Sequence, residues 1–427
     1  MNKTNHPSEE VSYLAIGVGP SNLSLAALAS KHDNLNITFL EKKKQFSWHE
    51  GSLLPFSNMQ SSHIRDLVTL ADPTNKFSFI SYLHSTKKLY HFMAAEFSNI
   101  PRFEFNNYYK WAAEQLPGMH FDEWVNEVQY EEGNFRVHTS KRIILAKNLI
   151  LGIGSIPYFP EHAVLDIDRH AYHGTEYCKK NKETFRNKKV VVVGGGQTGA
   201  EVFFDLFTNK TALPKELTWI SRRSLFNPME ESPFHTEIFT PYFSECFYSL
   251  DLDSKEKLLA QHKLASDGVS SDILQNIYKE LYFNKYQHKE KLPPNLLINT
   301  DVVKQELNGD SFKLYIQNKV TNSTDQLDAD IIIYCTGLDY KLPEFLNPIK
   351  PMLTFEKSGI DTHKDFSAKL PSGIKNKIYI QNGSTSSWGV SDRNLVLGAW
   401  RSAKIINSML GFNAYDMESE NTFVTWK

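Results

Sequence analysis

Cysteine, net charge and long apolar runs are all scarce in this 427-residue sequence. Its three cysteines, Cys178, Cys246 and Cys335, stand apart and form no CxxC pair, which excludes a zinc-finger spacing and a redox-active dithiol. The formal net charge of −2 provides no basic field for nucleic acid or an anionic membrane. No stretch approaches about 18 consecutive apolar residues, and the polar residues 1–10 resemble neither a signal peptide nor an anchor. We therefore expect a cytoplasmic protein whose partners are small molecules.

The composition is that of an ordinary globular protein, with 41% hydrophobic and 22% charged residues. The length allows two or three domains, since one domain typically takes about 150 residues. Neither a metal-ligand spacing nor a nucleophile paired with a base is evident, so we predict no metal site.

An apolar strand pattern at residues 11–16 runs into the glycine loop of a dinucleotide-binding unit, and a helical pattern and a second strand follow. Gly17 permits the tight turn, and Gly19 lets the backbone approach a pyrophosphate at the helix start, where free N–H groups favour an anion. Glu41 ends the second strand, where a carboxylate can accept the ribose hydroxyls of an adenosine. Asn22 takes the place of the usual third glycine, so the match is partial. The alternative is a plain tight turn; the binding residues predicted are Gly17, Gly19, Pro20, Asn22 and Glu41.

A second unit begins with the buried-strand pattern at residues 188–193, and its glycine loop matches the full fingerprint. The next strand pattern ends in Arg222 and Arg223 rather than in an acid. Arginines at this position can clamp a 2′-phosphate, which favours NADPH over NADH, unless they are merely a solvated strand end. The binding residues predicted here are Gly194, Gly196, Gln197, Gly199, Arg222 and Arg223.

Two nucleotide units in one chain indicate FAD in one and a nicotinamide in the other, with hydride passing between them. The stretches 148–154 and 330–337 both look like apolar strands ending in small residues. If residues 330–337 rejoin the first sheet, the FAD domain is discontinuous. We therefore predict an α/β protein with two Rossmann-like dinucleotide-binding domains: FAD-binding at 1–164 and 326–427, and NADPH-binding at 165–325, with a smaller helical substrate region near 228–290.

Short motifs along nearly the whole chain resemble, in order, the microbial N-hydroxylating flavin monooxygenases of siderophore biosynthesis. They are GVGPSNL at 17–23, FSWH at 46–49, MQ at 59–60, DLV at 66–68, DPT at 72–74, SDG at 266–268 and WRSA at 400–403. Residues 266–282 look more like the lysine and diamine branch than the ornithine branch. The resemblance implies FAD and NADPH as cofactors, molecular oxygen as cosubstrate and a homo-oligomer, often a tetramer.

The family chemistry makes few demands on side chains. The resemblance implies that NADPH reduces the flavin, and that a C4a-hydroperoxyflavin delivers oxygen to an amine nitrogen. Gln60 matches the family position beside the flavin and is the catalytic residue predicted, while Trp48 and His49 match positions that line FAD. Simple loop packing is the alternative for His49. His173 resembles part of a linker in the wider superfamily and could contact NADPH, hinge the domains or be an ordinary histidine.

Departures from the family pattern concern the substrate. Arg65 stands where the family carries a lysine that binds the substrate carboxylate. Thr236 and Ser266 stand where ornithine enzymes carry asparagines, and Trp388 replaces the histidine of a Thr-His-Gly stretch. We therefore expect a small primary amine without a carboxylate, namely putrescine, cadaverine or histamine, with Trp388 packing on an aromatic substrate. The alternatives are lysine or ornithine, bound through Arg65, or an Arg65 that only pairs with Asp66 or another acid.

Rival classes fit the sequence less well. A flavoprotein disulfide reductase needs the CxxC that is missing here. A Baeyer–Villiger or sulfur-oxidising monooxygenase would carry a complete aromatic-glycine-histidine linker. A non-enzymatic FAD protein would leave the second nucleotide unit without a purpose.

Overall fold

The structure, a computed structural model, describes residues 9–166, 170–209, 211–287, 292–356, 359–418 and 422–426. Within these ranges no helix combines the length and the apolar character that a membrane span requires.

The described strands and helices come in groups along the chain. In order, the strands are β1 (Glu9–Ile16), β2 (Ile37–Leu40), β3 (Met119–His120), β4 (Val125–Glu131), β5 (Asn134–Thr139), β6 (Ile143–Leu151), β7 (Ile156–Pro157), β8 (Ala171–His173), β9 (Lys189–Val193), β10 (Glu216–Ile220), β11 (Asn295–Leu297), β12 (Thr300–Asn308), β13 (Ser311–Asn318), β14 (Thr324–Ala329), β15 (Ile331–Tyr334), β16 (Leu338–Asp339), β17 (Phe355–Glu356), β18 (Gly359–Ile360) and β19 (Ile378–Ile380). The helices are α1 (Pro20–Ala29), α2 (Phe79–Ser85), α3 (Leu89–Ala94), α4 (Arg102–Gln115), α5 (Gln197–Thr208), α6 (Pro233–Thr236), α7 (Pro241–Ser249), α8 (Leu252–Gln261), α9 (Leu264–Asp267), α10 (Ser271–Tyr286), α11 (Thr385–Trp388) and α12 (Gly398–Leu410).

The first sheet has the strand order β3-β2-β1-β6-β5-β4, and β19 also pairs with β6. β1 lies parallel between β2 and β6, while β5 and β4 extend the sheet in antiparallel pairing. Side chains alternate between two apolar clusters. Ala15 and Ile150 face α1, α4 and α12, whereas Leu14 and Leu149 face Leu346, Ile349, Leu353 and Ile360. Because both faces are covered there, the ends of β1 (residues 14–16) and β6 (residues 149–151) are continuous apolar runs.

The second sheet is wholly parallel, with the order β11-β10-β9-β15-β8. The valines of β9 also alternate: Val190 and Val192 face the helices α5 and α10, while Val191 and Val193 face the antiparallel sheet β12-β13-β14. The two nucleotide units predicted from the sequence are therefore both present as Rossmann-like sheets.

One strand prediction is wrong. Residues 331–334 form β15, which pairs with β9 and β8 of the second sheet and does not rejoin the first. The first sheet is instead completed by β19, which pairs with β6 at Leu149–Leu151. The first sheet thus receives a strand from the later part of the chain, but that strand follows β15. The sequences of two short apolar strands do not show which sheet each one joins, because strand pairing depends on residues far away along the chain.

The two sheets are connected side by side. β7 and β16 leave the first and second sheets respectively and pair with each other as a short antiparallel ribbon. Between β10 and β11 the chain forms the helices α6 to α10, which include the helical region predicted from the sequence. α10 packs against α5 of the second domain, while Phe243 and Phe247 of α7 join the core of the first. The helical segment therefore packs on both domains.

A buried guanidinium connects the two distant parts of the first domain. Arg401 of α12 is only 2% exposed. Its Nε donates to Gln381 Oε1 at 2.7 Å, and its Nη1 donates to the backbone and side-chain oxygens of Asp392 at 2.6 and 3.2 Å. Its Nη2 donates to Asn382 Oδ1 at 2.7 Å and to Ser21 Oγ at 3.3 Å. All the donor groups of the side chain are used, which is the condition for burying this charge.

His173, at the end of β8, holds the connection between β15 and β16. Its Nδ1 accepts the N–H of Thr175 at 3.2 Å, so the ring is the tautomer whose Nε2 donates to the Gly337 carbonyl at 3.1 Å. Burial lowers the pKa of this imidazole from 6.5 to about 4, although the Gly337 carbonyl and Glu176 act in the opposite direction. The neutral ring is therefore part of the fold at neutral pH.

The protein should lose stability on mild acidification because of His173. The folded pKa lies below the unfolded one, so the contribution is complete above about pH 6.5 and is lost as the pH falls toward 4. We expect the free energy of unfolding in urea to fall by about 2 kcal/mol more between pH 7 and pH 5 in the wild type than in His173→Gln, whose amide can still donate to Gly337. Equal losses in both proteins would contradict this assignment.

Candidate functional site

A cavity of about 1320 Å³ lies where the two sheets meet. The first glycine loop, the end of β2, the loop at 47–61 and the start of α5 contribute to its walls. It therefore opens beyond the carboxyl ends of parallel strands, where open α/β sheets bind ligands.

The first glycine loop has the geometry that a pyrophosphate needs. Gly17 has a φ of +93°, and a Cβ there would lie 2.3 Å from the Gly152 carbonyl oxygen. Gly19 is the N-cap of α1 and has open space where a Cβ would point. Pro20 occupies the first turn, where its missing N–H costs nothing. The free N–H groups of the α1 terminus can thus be approached from the cavity.

Glu41 is held at the end of β2 by two backbone donors. Its Oε2 accepts the Val18 N–H at 2.9 Å and its Oε1 accepts the Lys43 N–H at 3.0 Å. The carboxylate lines the cavity and keeps further lone pairs for ribose hydroxyls. Its position fits an adenosine half beside the loop.

Asn22 was predicted to touch the nucleotide, but its side chain lies on the other side of the loop. It is fully buried, it does not line the cavity, and its Nδ2 donates to the Gly17 carbonyl at 2.7 Å. The close approach usually allowed by a third glycine is allowed here by Gly152, whose Cβ would lie 2.3 Å from Asn22 Nδ2. Asn22 therefore positions the loop.

Trp48 and His49 both line the cavity. The Trp48 ring packs edge-on to Tyr109 at 5.2 Å, and its backbone N–H donates to Asn106. His49 has a left-handed φ of +52° and is accessible from the cavity. Desolvation by the surrounding protein lowers its pKa to about 4, and the nearby cations Arg102 and Lys43 act in the same direction. A neutral imidazole thus faces the cavity at neutral pH.

Gln60 lies at the junction of the two domains. Its Nε2 is 3.2 Å from both Gln197 Oε1 and Ser270 Oγ. Gln197 in turn donates to Glu201, whose carboxylate forms a bidentate ion pair with Arg102 at 2.9 and 3.2 Å. The sequence analysis missed Arg102 and Glu201, although an acid within the apolar pattern of α5 is a signal of a buried, partnered charge.

The second glycine loop is closely packed. Gly194 has a φ of +132°, and a Cβ there would lie 2.1 Å from the Cys335 carbonyl oxygen. A Cβ on Gly199 would lie 2.0 Å from the Gly194 carbonyl oxygen, so helix and strand approach closely. Gly196 is the N-cap of α5, and a Cβ there would have only the Asp267 carbonyl within 4 Å. The start of α5 is thus open to an anion.

Arg222 and Arg223 differ in their surroundings. Arg222 is exposed and has no hydrogen bond or ion pair within the described part of the chain. Arg223 Nη1 donates to the Asp267 carbonyl at 2.9 Å. Arg222 is therefore the freer of the two cations after β10.

A second cavity of about 890 Å³ adjoins the first, and Ser155, Leu338, Leu342, Arg393 and Asn394 line both. Ser266 lines this second cavity, and its hydroxyl donates to Asp267 at 2.9 Å. Charged side chains of both signs complete the wall: Lys263, Asp267, Asp339, Glu356 and Arg393.

Three residues predicted to contact substrate lie outside both cavities. Trp388 is 1% exposed, stacks on Phe366 at 4.3 Å and donates to Thr362, so the indole is part of the core and cannot pack on a substrate. Thr236 donates to the carbonyl of Pro233, one turn back in α6.

Arg65 is the third of these residues. It is half-buried, and burial lowers the pKa of its guanidinium. It forms no ion pair with any residue in the described ranges. Asp66 instead accepts from Val68, Thr69 and Phe79, so the alternative of an Arg65–Asp66 pair is wrong.

Comparison with known proteins gives a consistent result. The family model for L-lysine 6-monooxygenase/L-ornithine 5-monooxygenase matches residues 10–340. The L-lysine N6-monooxygenase of Escherichia coli is 32% identical over 98% of this chain and 99% of its own. A putrescine N-hydroxylase of Acinetobacter baumannii is 32% identical over 95% of this chain and 91% of its own.

A solved structure extends the similarity to the whole fold. The cadaverine monooxygenase of desferrioxamine biosynthesis from Erwinia amylovora, bound to FAD, superposes with a TM-score of 0.90 at 28% identity, covering 97% of both chains. The matched length is nearly that of the whole chain in each case. The chain therefore belongs to the L-lysine 6-monooxygenase/L-ornithine 5-monooxygenase family.

Proposed function

We propose that this N-hydroxylating flavin monooxygenase of siderophore biosynthesis uses FAD, NADPH and oxygen to hydroxylate a diamine such as putrescine or cadaverine. The observation that supports it best is the pair of adjoining cavities, one beside both nucleotide units and one lined by charged side chains. Assembly into a homotetramer and a cytoplasmic location stay predictions.

The first cavity fits FAD. The α1 terminus at Gly19 would hold the pyrophosphate, and Glu41 would accept the ribose hydroxyls. Trp48 and Gln60 form the walls farther along the cavity. FAD, when bound, supplies the electron transfer and oxygen activation that no side chain provides. The protein contributes orientation and the exclusion of water, and its side chains need not supply the reactive group.

NADPH fits the second unit. The pyrophosphate would lie at the start of α5, where Gly196 leaves the helix terminus open. Arg222, unpaired and exposed after β10, would bind the 2′-phosphate, while Arg223 supports the turn through Asp267.

The second cavity fits the chain and distal ammonium of a diamine. Glu356 lines it and forms no ion pair with another residue in the described ranges. An ammonium that enters the cavity can supply the cation that this carboxylate lacks. Because Arg65 lies outside both cavities, the family's carboxylate-binding position is not available there. Histamine is not proposed, since it relied on Trp388.

Lysine is the second candidate because of Arg393. This exposed guanidinium lines both cavities and forms no ion pair within the described ranges. It could hold an α-carboxylate while Glu356 binds the α-ammonium. The relatives named above include enzymes of both substrate types.

Arg222→Ala should raise the KM for NADPH about tenfold or more and leave the KM for NADH nearly unchanged, because a charge-assisted contact to the 2′-phosphate is lost. Steady-state NAD(P)H oxidation measures both constants. Arg186→Ala, which removes an exposed arginine that pairs with Glu183 on the same domain, is the matched control. An equal loss with both nucleotides would show that Arg222 serves folding instead.

Coupled hydroxylation should rise between pH 7 and pH 9. An alkyl ammonium has a pKa of about 10.4, and only its neutral form can attack, so each pH unit raises that form about tenfold. His49, with a pKa of about 4, stays neutral over this range and adds no step. Hydroxylamine and peroxide measured together should show product rising as peroxide falls; a flat product profile would indicate that the site itself deprotonates the amine.

Competition between cadaverine, putrescine, lysine and ornithine should favour a diamine. Glu356→Gln should raise the KM for that diamine about tenfold, since an ion pair becomes a neutral contact, without changing the KM for NADPH. Asp325→Asn on the exposed strand β14 is the control. A higher kcat/KM for lysine or ornithine than for either diamine would overturn the assignment.

A further inference from the structure

A chain of hydrogen bonds runs from the interior of α5 to the cavity wall. Glu201, 2% exposed, accepts from Gln197 Nε2 at 2.9 Å. Gln197 Oε1 then accepts from Gln60 Nε2 at 3.2 Å and from the Ser270 N–H at 2.8 Å. These residues come from both domains and from the start of α10, so the chain crosses the domain junction.

The direction of every bond in this chain follows from its two ends. A carboxylate oxygen only accepts and a backbone N–H only donates. Glu201 therefore turns the amino group of Gln197 toward itself, and the Ser270 N–H holds the Gln197 carbonyl oxygen at the other side. Facing that oxygen, Gln60 must present its amino group.

The remaining group of Gln60 is then its amide oxygen. Its Nε2 also donates to Ser270 Oγ at 3.2 Å, while the Ser270 hydroxyl itself donates to Gln197 Oε1 at 3.1 Å. Both amide protons of Gln60 are thus used. Its Oε1 accepts from no donor within the described part of the chain, and the residue lines the cavity.

The same carboxylate also braces the backbone that carries Gln60. Arg102, paired with Glu201, donates from its two terminal nitrogens to the carbonyls of Ser52 and Asn58, each at 3.3 Å. These carbonyls belong to the loop that leads to Gln60. Glu201 therefore acts on both the side chain and the backbone of that loop.

We propose that Glu201 is a positioning residue, whose buried carboxylate makes Gln60 present a hydrogen-bond acceptor, and not a donor, to the cavity. Gln60 then accepts from an N–H or O–H of the bound cofactor or of the amine. The inference rests on the proposed function, in which the cavity holds FAD beside Gln60. Without the acceptor at Glu201, only the Ser270 N–H fixes the orientation of the Gln197 amide, and the direction of the chain is held less firmly.

Two substitutions distinguish a role of Glu201 in hydrogen-bond direction from a role in packing. Glu201→Asp keeps the acceptors but shortens the side chain, whereas Glu201→Gln keeps the shape but places an amino group against the donors of Gln197 or Arg102. If direction matters, hydroxylamine formed per NADPH at saturating NADPH should fall about fivefold or more in Glu201→Gln and less in Glu201→Asp. A role in packing alone predicts the reverse order.

Asp205→Asn is the matched control, because Asp205 lies one turn along α5 and pairs with Lys182 and Tyr177, away from Gln60. It should keep wild-type coupling even if its Tm falls as much as that of Glu201→Gln. The absorption spectrum of FAD titrated into each apoprotein gives a readout without turnover, and we expect Glu201→Gln to differ from the wild type and Asp205→Asn to match it.

The proposal is overturned if Glu201→Gln couples as well as Glu201→Asp, or if Asp205→Asn changes coupling and FAD spectrum equally. A wild-type protein that hydroxylates no amine would refute the proposed function. The FAD spectra would still decide the role of Glu201 in that case.

Discussion

The first nucleotide site depends on the buried guanidinium of Arg401. It joins Ser21, at the start of α1, to Gln381, Asn382 and Asp392 at the far end of the chain. A buried charge is tolerated only when its donors are satisfied, so competing arrangements of this segment would each leave part of the guanidinium unpaired. The same contacts hold the segment after β19 beside the glycine loop, where Asn382 forms part of the cavity wall. Arg401 therefore holds the later part of the chain against the first glycine loop.

The junction between the domains is polar where it meets the cavity. Apolar contacts would hold the domains together without specifying orientation, whereas Glu201, Gln197 and Gln60 impose distances and directions on one another. Arg102 adds a bidentate ion pair from the first domain to the second. A family that relies on its cofactors for reactivity has to place amide and hydroxyl groups accurately, and this junction brings together groups from three separate segments.

The sequence was sufficient for both nucleotide units because each depends on local constraints. Gly17 and Gly194 need a left-handed backbone, α1 and α5 follow buried strands directly, and Glu41 ends β2 at the right distance. Contacts between residues far apart in sequence were harder to predict. The assignment of β15 to the first sheet was wrong, since a short apolar strand satisfies either sheet equally. Trp388 looked like a substitution in a substrate motif, but Phe366 and Thr362 enclose it in the core.

By itself, the sequence determined the fold class, the pair of dinucleotide loops and the family, because glycine positions, strand periodicity and short motifs are properties of contiguous residues. Only the tertiary structure decided which side chains meet. Arg223 bonds to Asp267, whereas Arg222 stays free of partners in the described ranges. Asn22 and Trp388 lie outside the cavities, while Glu356 and Arg393 line the same one. The tertiary structure also decided that Gln60 exposes an oxygen and not an amino group. Glu201, some 140 positions away along the chain, and the Ser270 N–H together impose that choice, because the direction of a hydrogen bond depends on the partner and not on the residue alone.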